Sequence, residues 1–161
     1  MRSKQIMSEN PVTCRATDNL ERAAHLMWDY DVGAIPVVDD DGCIVGIITD
    51  RDICMAAYTK GASLREVPVS AAMAADVFTC AEDDELEDVE RSMREARVHR
   101  LPVVDGNDVP VGIISMSDLA RYAATKPGSS LGRSVIETLA SICEPREPFR
   151  KDSPKRTTAA I

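Results

Sequence analysis

The sequence predicts an α/β chain of the α+β type: two tandem β-α-β-β-α repeats followed by one further helix and a polar tail. Three observations carry that prediction. The chain matches itself at a shift of 66 residues without a gap, each copy holds two short β-branched runs, and each pair of runs is flanked by helix signals. At this shift Pro36 meets Pro102, Gly46 meets Gly112 and Asp52 meets Asp118. The same offset pairs Met7 with Met73, Thr13 with Thr79, Leu20 with Leu86 and Met27 with Met93. Two segments dominate the match. Ile35-Pro36-Val37-Val38-Asp39 corresponds to Leu101-Pro102-Val103-Val104-Asp105, and Val45-Gly46-Ile47-Ile48-Thr49 to Val111-Gly112-Ile113-Ile114-Ser115.

The elements follow in order. A strand around Thr13, repeated around Thr79, leads to a capping box, Asp18-Asn19-Leu20-Glu21 or Asp84-Glu85-Leu86-Glu87, which opens a helix by satisfying amides that lack intrahelical partners. That helix is expected to bury Leu20, Ala23 and Met27. Pro36-Val37-Val38 and Ile44-Val45-Gly46-Ile47-Ile48 read as buried strands, joined through Asp40-Asp41-Gly42, which supplies a positive φ; the second copy has Gly106-Asn107-Asp108 there. A second helix starts after Thr49, carries Ile53 and Ala57 on its apolar side and ends near Gly61; its counterpart runs from Ser115 to about Thr125. One such unit is marginal alone, so the two are expected to share a sheet-to-sheet core. The expected division is a first repeat over residues 1–61, a linker over 62–68, a second repeat over 69–125, a C-terminal helix over 126–143 and a flexible tail over 144–161. The helix is expected to be capped by Ser130 and to carry a stripe of Leu131, Val135, Leu139 and Ile142, packed on its own module or on a dimer mate.

Composition bounds the function. The 161 residues are 44% apolar and carry a formal charge of −8, which argues against nucleic acid and anionic lipid as partners. The segment after Cys143 is the exception, with Arg146, Arg150, Lys151, Lys155 and Arg156 against three acidic groups, and Pro145, Pro148 and Pro154 interrupt it. Arg2 and Lys4 are followed by no apolar stretch of signal-peptide length before Asn10 and Pro11, so the cytoplasm is expected. The five cysteines, Cys14, Cys43, Cys54, Cys80 and Cys143, lack CxxC spacing and read mostly as small buried hydrophobes. Cys14 and Cys80 with His25 and His99 match no standard metal site. Asp39-Asp40-Asp41-Gly42 lacks the distal glutamate of a calcium loop, and no metal is expected.

Chemistry concentrates where the second helix of each copy begins. Thr49 with Asp52, and Ser115 with Asp118, are hydroxyl-x-x-carboxylate pairs. Taken alone they read as capping boxes; their recurrence in both repeats favours the start of an anion site, where free amides and the helix dipole face a phosphate and the carboxylate accepts ribose hydroxyls. Phosphate charge needs cations, which His99 and Arg100 supply in the second copy. The first has Gly33 and Ala34 in their place, leaving Arg51 or a group from across the cleft. Backbone beside Pro36 and Pro102, the strands at Thr13 and Thr79, and the side chains of Ile35, Leu101, Val12 and Phe78 are candidates for adenine or for core.

The stretch Val32-Gly33-Ala34-Ile35-Pro36-Val37-Val38-Asp39, followed by Gly46-Ile47-Ile48-Thr49-Asp50-Arg51-Asp52-Ile53, resembles a cystathionine β-synthase (CBS) motif, and Val98 to Leu119 resembles another. The resemblance covers about residues 6 to 125. It implies a pseudo-two-fold module, often dimerised, with clefts for AMP, ATP or S-adenosylmethionine. On matched positions it implies that Asp52 and Asp118 hold ribose and that Thr49 and Ser115 lie near phosphates. Val98-His99-Arg100-Leu101 with Ser115-Met116-Ser117-Asp118 is similar to a repeat of the AMP-activated protein kinase γ subunit, whose His-Arg pair faces the phosphates. Two unequal sites are expected, the better one holding Arg100 and Asp118. With no nucleophile-base pattern or Walker loop, the sequence reads as a non-enzymatic regulatory module, with AMP or ATP as ligand, no obligatory cofactor, a homodimeric state and an output in trans on a protein partner. A homodimeric adaptor with little nucleotide affinity is the alternative, kept open by Gly33 and Ala34.

Overall fold

The computed structural model describes residues 1–145, so the expected tail lies outside the described residues from position 146 onward. In chain order, Ser8–Glu9 (β1) and Cys14–Arg15 (β2) precede helix Leu20–Asp29 (α1), strands Ala34–Val38 (β3) and Ile44–Thr49 (β4), and helix Asp50–Lys60 (α2). The second copy is Cys80–Ala81 (β5), Leu86–Ala96 (α3), Arg100–Val104 (β6), Pro110–Ser115 (β7) and Met116–Ala124 (α4), followed by Leu131–Ile142 (α5). The β-α-β-β-α order therefore occurs twice. One sheet runs β2-β3-β4 and the other β1-β7-β6-β5. Within each copy the short first strand lies parallel to the next one, which pairs antiparallel with the last. Both antiparallel pairs shift register at the same place, Val37/Val38 and Val103/Val104.

The hairpin turns follow the expected chemistry with one change. Gly42 takes a φ of 87°, but in the second copy the positive φ, 60°, falls on Asp108 and not on Gly106. Aspartate is among the few residues that tolerate this conformation. Asp39 Oδ1 accepts from the amides of Asp41 and Cys43, and Asp105 Oδ1 from those of Asn107 and Val109, so one Asx turn closes each hairpin. The two amides hold the Asp105 carboxyl below its ordinary value of 3.8. The hairpins also touch: the Ile44 amide donates to the Asp108 carbonyl at 2.9 Å. The reciprocal bond cannot form, because Pro110 stands where Ile44 stands in the first copy and has no N–H.

The first helix of each copy starts differently from expectation. Asn19, not Asp18, caps α1, accepting from the Arg22 amide at 2.9 Å, while Glu85 at the equivalent position of α3 makes no side-chain cap. Asp18 and Asp84 instead accept from the amides of Arg15 and Ala81, closing the turn before the helix. A carboxylate one residue too early cannot reach the N2 or N3 amide and serves the preceding turn. The remaining helix amides are met from far along the chain: Leu20 N donates to Val67 O and Leu86 N to Met1 O.

Those two bonds belong to a reciprocal exchange. Residues 1–9 lie on the second repeat, with Ser3 N bonding Asp84 O, Lys4 N bonding Glu82 O and β1 pairing with β7. Residues 67–74 lie on the first, with Val69 N bonding Asp18 O, Ser70 N bonding Ala16 O and Ala74 bridging to Ile47. The two straps are related by the same 66-residue shift. Met73 crosses Gly46 and Met7 crosses Gly112, where an added β-carbon would meet the thioether, so at both positions the strap runs close over a strand glycine.

The expected shared core is not what forms. Leu20, Ala23, Ile35, Val37, Ile48 and Ile53 belong to one buried cluster, and Leu86, Val89, Met93, Leu101, Val103, Ile114 and Leu119 to another. A third, small cluster groups Ala34, Ile47 and Ala74 with Val77 packed against it. Each sheet is covered by the two helices of its own repeat, so each repeat buries its own core. On α2 the buried alanine is Ala56, and Ala57 is exposed.

Helix α5 packs on α3 and α4 of its own chain. Its buried residues are Val135, Thr138 and Ile142, with Leu131 half-buried; Leu139 is exposed, and Ser130 makes no side-chain cap. Thr138 takes the place expected for Leu139 because it accepts from Arg94 Nη1 at 2.6 Å, while Ser134 Oγ donates to the buried Glu90 at 2.6 Å. The first repeat has no such cover among the described residues, and Trp28 (86%) and Tyr58 (83%) stand exposed on its α1–α2 face. No helix of the described residues is long and apolar enough to cross a membrane.

Candidate functional site

Both hydroxyl-x-x-carboxylate pairs are built as capping boxes at the junction of a strand and a helix. Thr49 Oγ1 donates to Asp52 Oδ2 at 2.7 Å and accepts from the Asp52 amide at 3.2 Å, and the Thr49 amide donates to Oδ2 at 2.9 Å. Ser115 and Asp118 repeat this at 2.5, 3.2 and 2.8 Å. The cap occupies Oδ2 alone. Oδ1 of each carboxylate is thereby left for another donor.

The surroundings of the two boxes differ. Ser115, Ser117 and Asp118 line a cleft of about 390 Å³, together with Arg100 from β6, Gly33 and Ala34 from the start of β3, and the strap residues Ser8 to Val12. The pseudo-symmetric recess, lined by Ile47, Asp76, Phe78, Val98, Arg100 and Pro102, has a volume of about 10 Å³. At matched positions the recess has the larger Arg100 and Phe78 where the open cleft has Ala34 and Val12. Gly33 and Ala34, expected to leave the Thr49–Asp52 pair short of a cation, form a wall of the Asp118 cleft. Each strand start borders the other repeat's helix terminus.

Arg100 lies between the two. Its Nη1 stands 3.3 Å from the position a β-carbon on Gly33 would take, and Asp50 Oδ2 stands 3.3 Å from the same point. Asp118 is buried (7%), and its Oδ1 accepts from Arg121, an exposed guanidinium one turn further along α4. Cleft charge is thus mixed: Arg100 and Arg121 against Glu9, Asp31 and Asp118.

The remaining sequence candidates are distributed as follows. Ile35 and Leu101 are fully buried in the two cores, and Pro36 is buried beside Ile35. Pro102 borders the closed recess. Thr13 and Thr79 sit one residue beyond Val12 and Phe78, which line the open cleft and the recess respectively. His99 accepts the Met116 amide through its carbonyl at 2.9 Å and lines neither, and Arg51 is exposed on α2 away from both. Sequence reasoning did not find Tyr30, Asp31 or Arg121 at the cleft. Arg121 had a usable signal in its i,i+3 spacing from Asp118; Tyr30, at the C-cap of α1, had none.

Cys14 and Cys80 lie in separate cores, and burial pushes their thiols up to about 12 and about 11. Thiolate ligation at either would oppose that desolvation.

A family model described as the CBS domain matches residues 4–58 and 65–125. The chain belongs to the CBS-domain family. It is 36% identical over 117 residues to the CBS domain-containing protein YhcV of Bacillus subtilis, covering 73% of this chain and 81% of that protein. It is also 36% identical over 119 residues to a homoserine O-acetyltransferase of Methanosphaera stadtmanae, covering 74% of this chain but only 23% of the enzyme. CBS pairs thus occur both in small proteins and as a minor part of enzymes. Among solved structures it is similar to the CBS domain pair of protein MJ0100, crystallised with 5′-methylthioadenosine and S-adenosyl-L-methionine, at a TM-score of 0.72 and 28% identity over 78% of this chain and 98% of that one.

Proposed function

We propose that this CBS pair is a regulatory module that binds one adenine nucleotide, AMP or ATP, in the cleft beside Asp118. The observation that carries this is the contrast between a cleft of about 390 Å³ lined by Ser115 and Asp118 and its pseudo-symmetric counterpart of about 10 Å³, whose lining includes neither Thr49 nor Asp52. A cleft of this volume is in the range of small-ligand sites. Asp118 Oδ1 accepts ribose hydroxyls, Ser115, Ser117 and the first amides of α4 face the phosphate, Arg100 supplies positive charge, and Val12, Val32 and Ile113 form apolar walls for the base. The likeness to a domain pair crystallised with adenosyl compounds supports the adenosine half of this reading.

The cleft is bordered by both repeats and by the N-terminal strap, so a ligand that fits one arrangement of these parts better than another shifts their balance, which is how binding becomes a signal. Trp28 and Tyr58 on the uncovered α1–α2 face support a homodimer, with the output passing in trans to a protein partner in the cytoplasm. Isothermal titration calorimetry with AMP, ADP, ATP and S-adenosylmethionine is the test. One AMP or ATP bound per chain, lost in Asp118→Asn and kept in Asp52→Asn, is the expected result. Binding lost in Asp52→Asn and kept in Asp118→Asn would overturn the assignment. Silence from all four ligands at millimolar concentration would favour a homodimeric adaptor.

A further inference from the structure

Arg121 holds the one carboxylate oxygen that the proposed ligand needs. Asp118 Oδ2 is committed to the Ser115 cap, and Oδ1 accepts from Arg121 Nη2. At the matched position of the first repeat stands Met55, so Asp52 carries the same cap without a guanidinium opposite it. The Arg121 side chain is largely exposed (72%), lines the cleft, and stands in the second turn of α4, whose first turn holds Ser117, also at the cleft wall. The exposed guanidinium is screened by water, and a hydroxyl that takes Oδ1 in its place keeps the buried carboxylate hydrogen-bonded, so the exchange of partners costs little.

We infer that Arg121 is a latch that makes the cleft selective for phosphorylated nucleosides. This rests on the reading of the Asp118 cleft as an adenosine site. A ribose diol that takes Asp118 Oδ1 displaces Arg121. A phosphate on the same ligand gives the guanidinium a new partner beside the helix terminus, with the bidentate geometry that arginine offers to phosphate. Adenosine or 5′-methylthioadenosine breaks the Arg121–Asp118 pair and returns nothing, and S-adenosylmethionine brings a cationic sulfonium toward two arginines. The selectivity is for the anion, and Arg121 acts on ribose binding only by competing for Asp118.

The test is calorimetry with AMP and with adenosine on the full chain, comparing the wild type with Arg121→Gln and Arg121→Lys. In Arg121→Gln, AMP should bind about tenfold more weakly while adenosine binds as well as before or better, as expected for loss of one charge-assisted contact. Arg121→Lys should recover part of the AMP affinity. Equal weakening of AMP and adenosine in Arg121→Gln, or no change in either, overturns the latch while leaving the adenosine site standing. A wild-type chain that binds neither ligand overturns the site and the latch together. Unchanged melting temperatures of the free variants separate these outcomes from misfolding, since Arg121 is a surface residue.

Discussion

The Arg100 guanidinium rests against Gly33, the residue that stands in the first repeat where His99 stands in the second, with Nη1 3.3 Å from the place of a missing β-carbon. Two repeats related by a common sequence are thus joined at the site by a difference between them. One copy supplies a long cation and the other the space it needs.

Gly33→Val should therefore weaken AMP binding by about tenfold, because it displaces Arg100 and Asp50 together from their present positions. Gly33 has no positive φ, so the backbone tolerates the change, and the melting temperature should stay within about 2 °C of the wild type. Calorimetry and thermal melts on the same preparation check both halves. Unchanged AMP affinity would show that the seat of Arg100 does not matter to binding.

The two strap glycines should differ in cost. An added β-carbon at Gly46 meets Met73 Sδ at 2.7 Å and the Ala74 carbonyl at 3.0 Å, and that carbonyl accepts from the Ile47 amide at 3.0 Å. At Gly112 the nearest atoms all belong to the Met7 side chain, whose thioether can turn away while its β-carbon, at 3.1 Å, must give by a few tenths of an ångström. Gly46→Ala is expected to lose about 1–3 kcal/mol by overpacking, and Gly112→Ala less. Urea unfolding of the two variants measures the order, and a larger loss at Gly112 would contradict it.

Burial raises the thiols of Cys14 and Cys80 from 9.0 to about 12 and about 11. In the unfolded chain they ionise near 9.0. Their contribution to stability is fully present below that pH and is lost as pH rises from there through the folded values. Stability measured by denaturant from pH 8 to 11 should fall above pH 9, and Cys14→Ala should flatten part of the fall. At pH 8 iodoacetamide should modify the exposed Cys54 and Cys143 first and leave Cys14 and Cys80 intact until the chain unfolds. Early modification of Cys14 in the folded protein would count against its burial.

Much of this molecule was legible in one dimension because its signals are local or periodic. The repeat at 66 residues, the β-branched runs flanking Gly46 and Gly112, and the capping boxes Thr49–Asp52 and Ser115–Asp118 each depend on neighbours within a few positions, and all reappear in the structure. The misses had physical causes too. Asp18 and Asn19 are both good caps, and only the chain path selects the second. Leu139 fits an apolar stripe, yet Thr138 is the buried residue because Arg94 lies opposite it.

What the sequence by itself determined is the pair of CBS repeats and the residue types at each helix terminus, since backbone propensity and hydrophobic spacing are properties of short segments. Only the tertiary structure decided which residues of one repeat meet which of the other. Met7 crosses to Gly112 and Met73 to Gly46, Gly33 and Ala34 join Asp118 in one cleft, and that cleft has Ala34 and Val12 where the closed recess has Arg100 and Phe78. The 66-residue shift states that these positions are equivalent. Only the packing of the two sheets makes them neighbours, and on that adjacency the difference between the two sites rests.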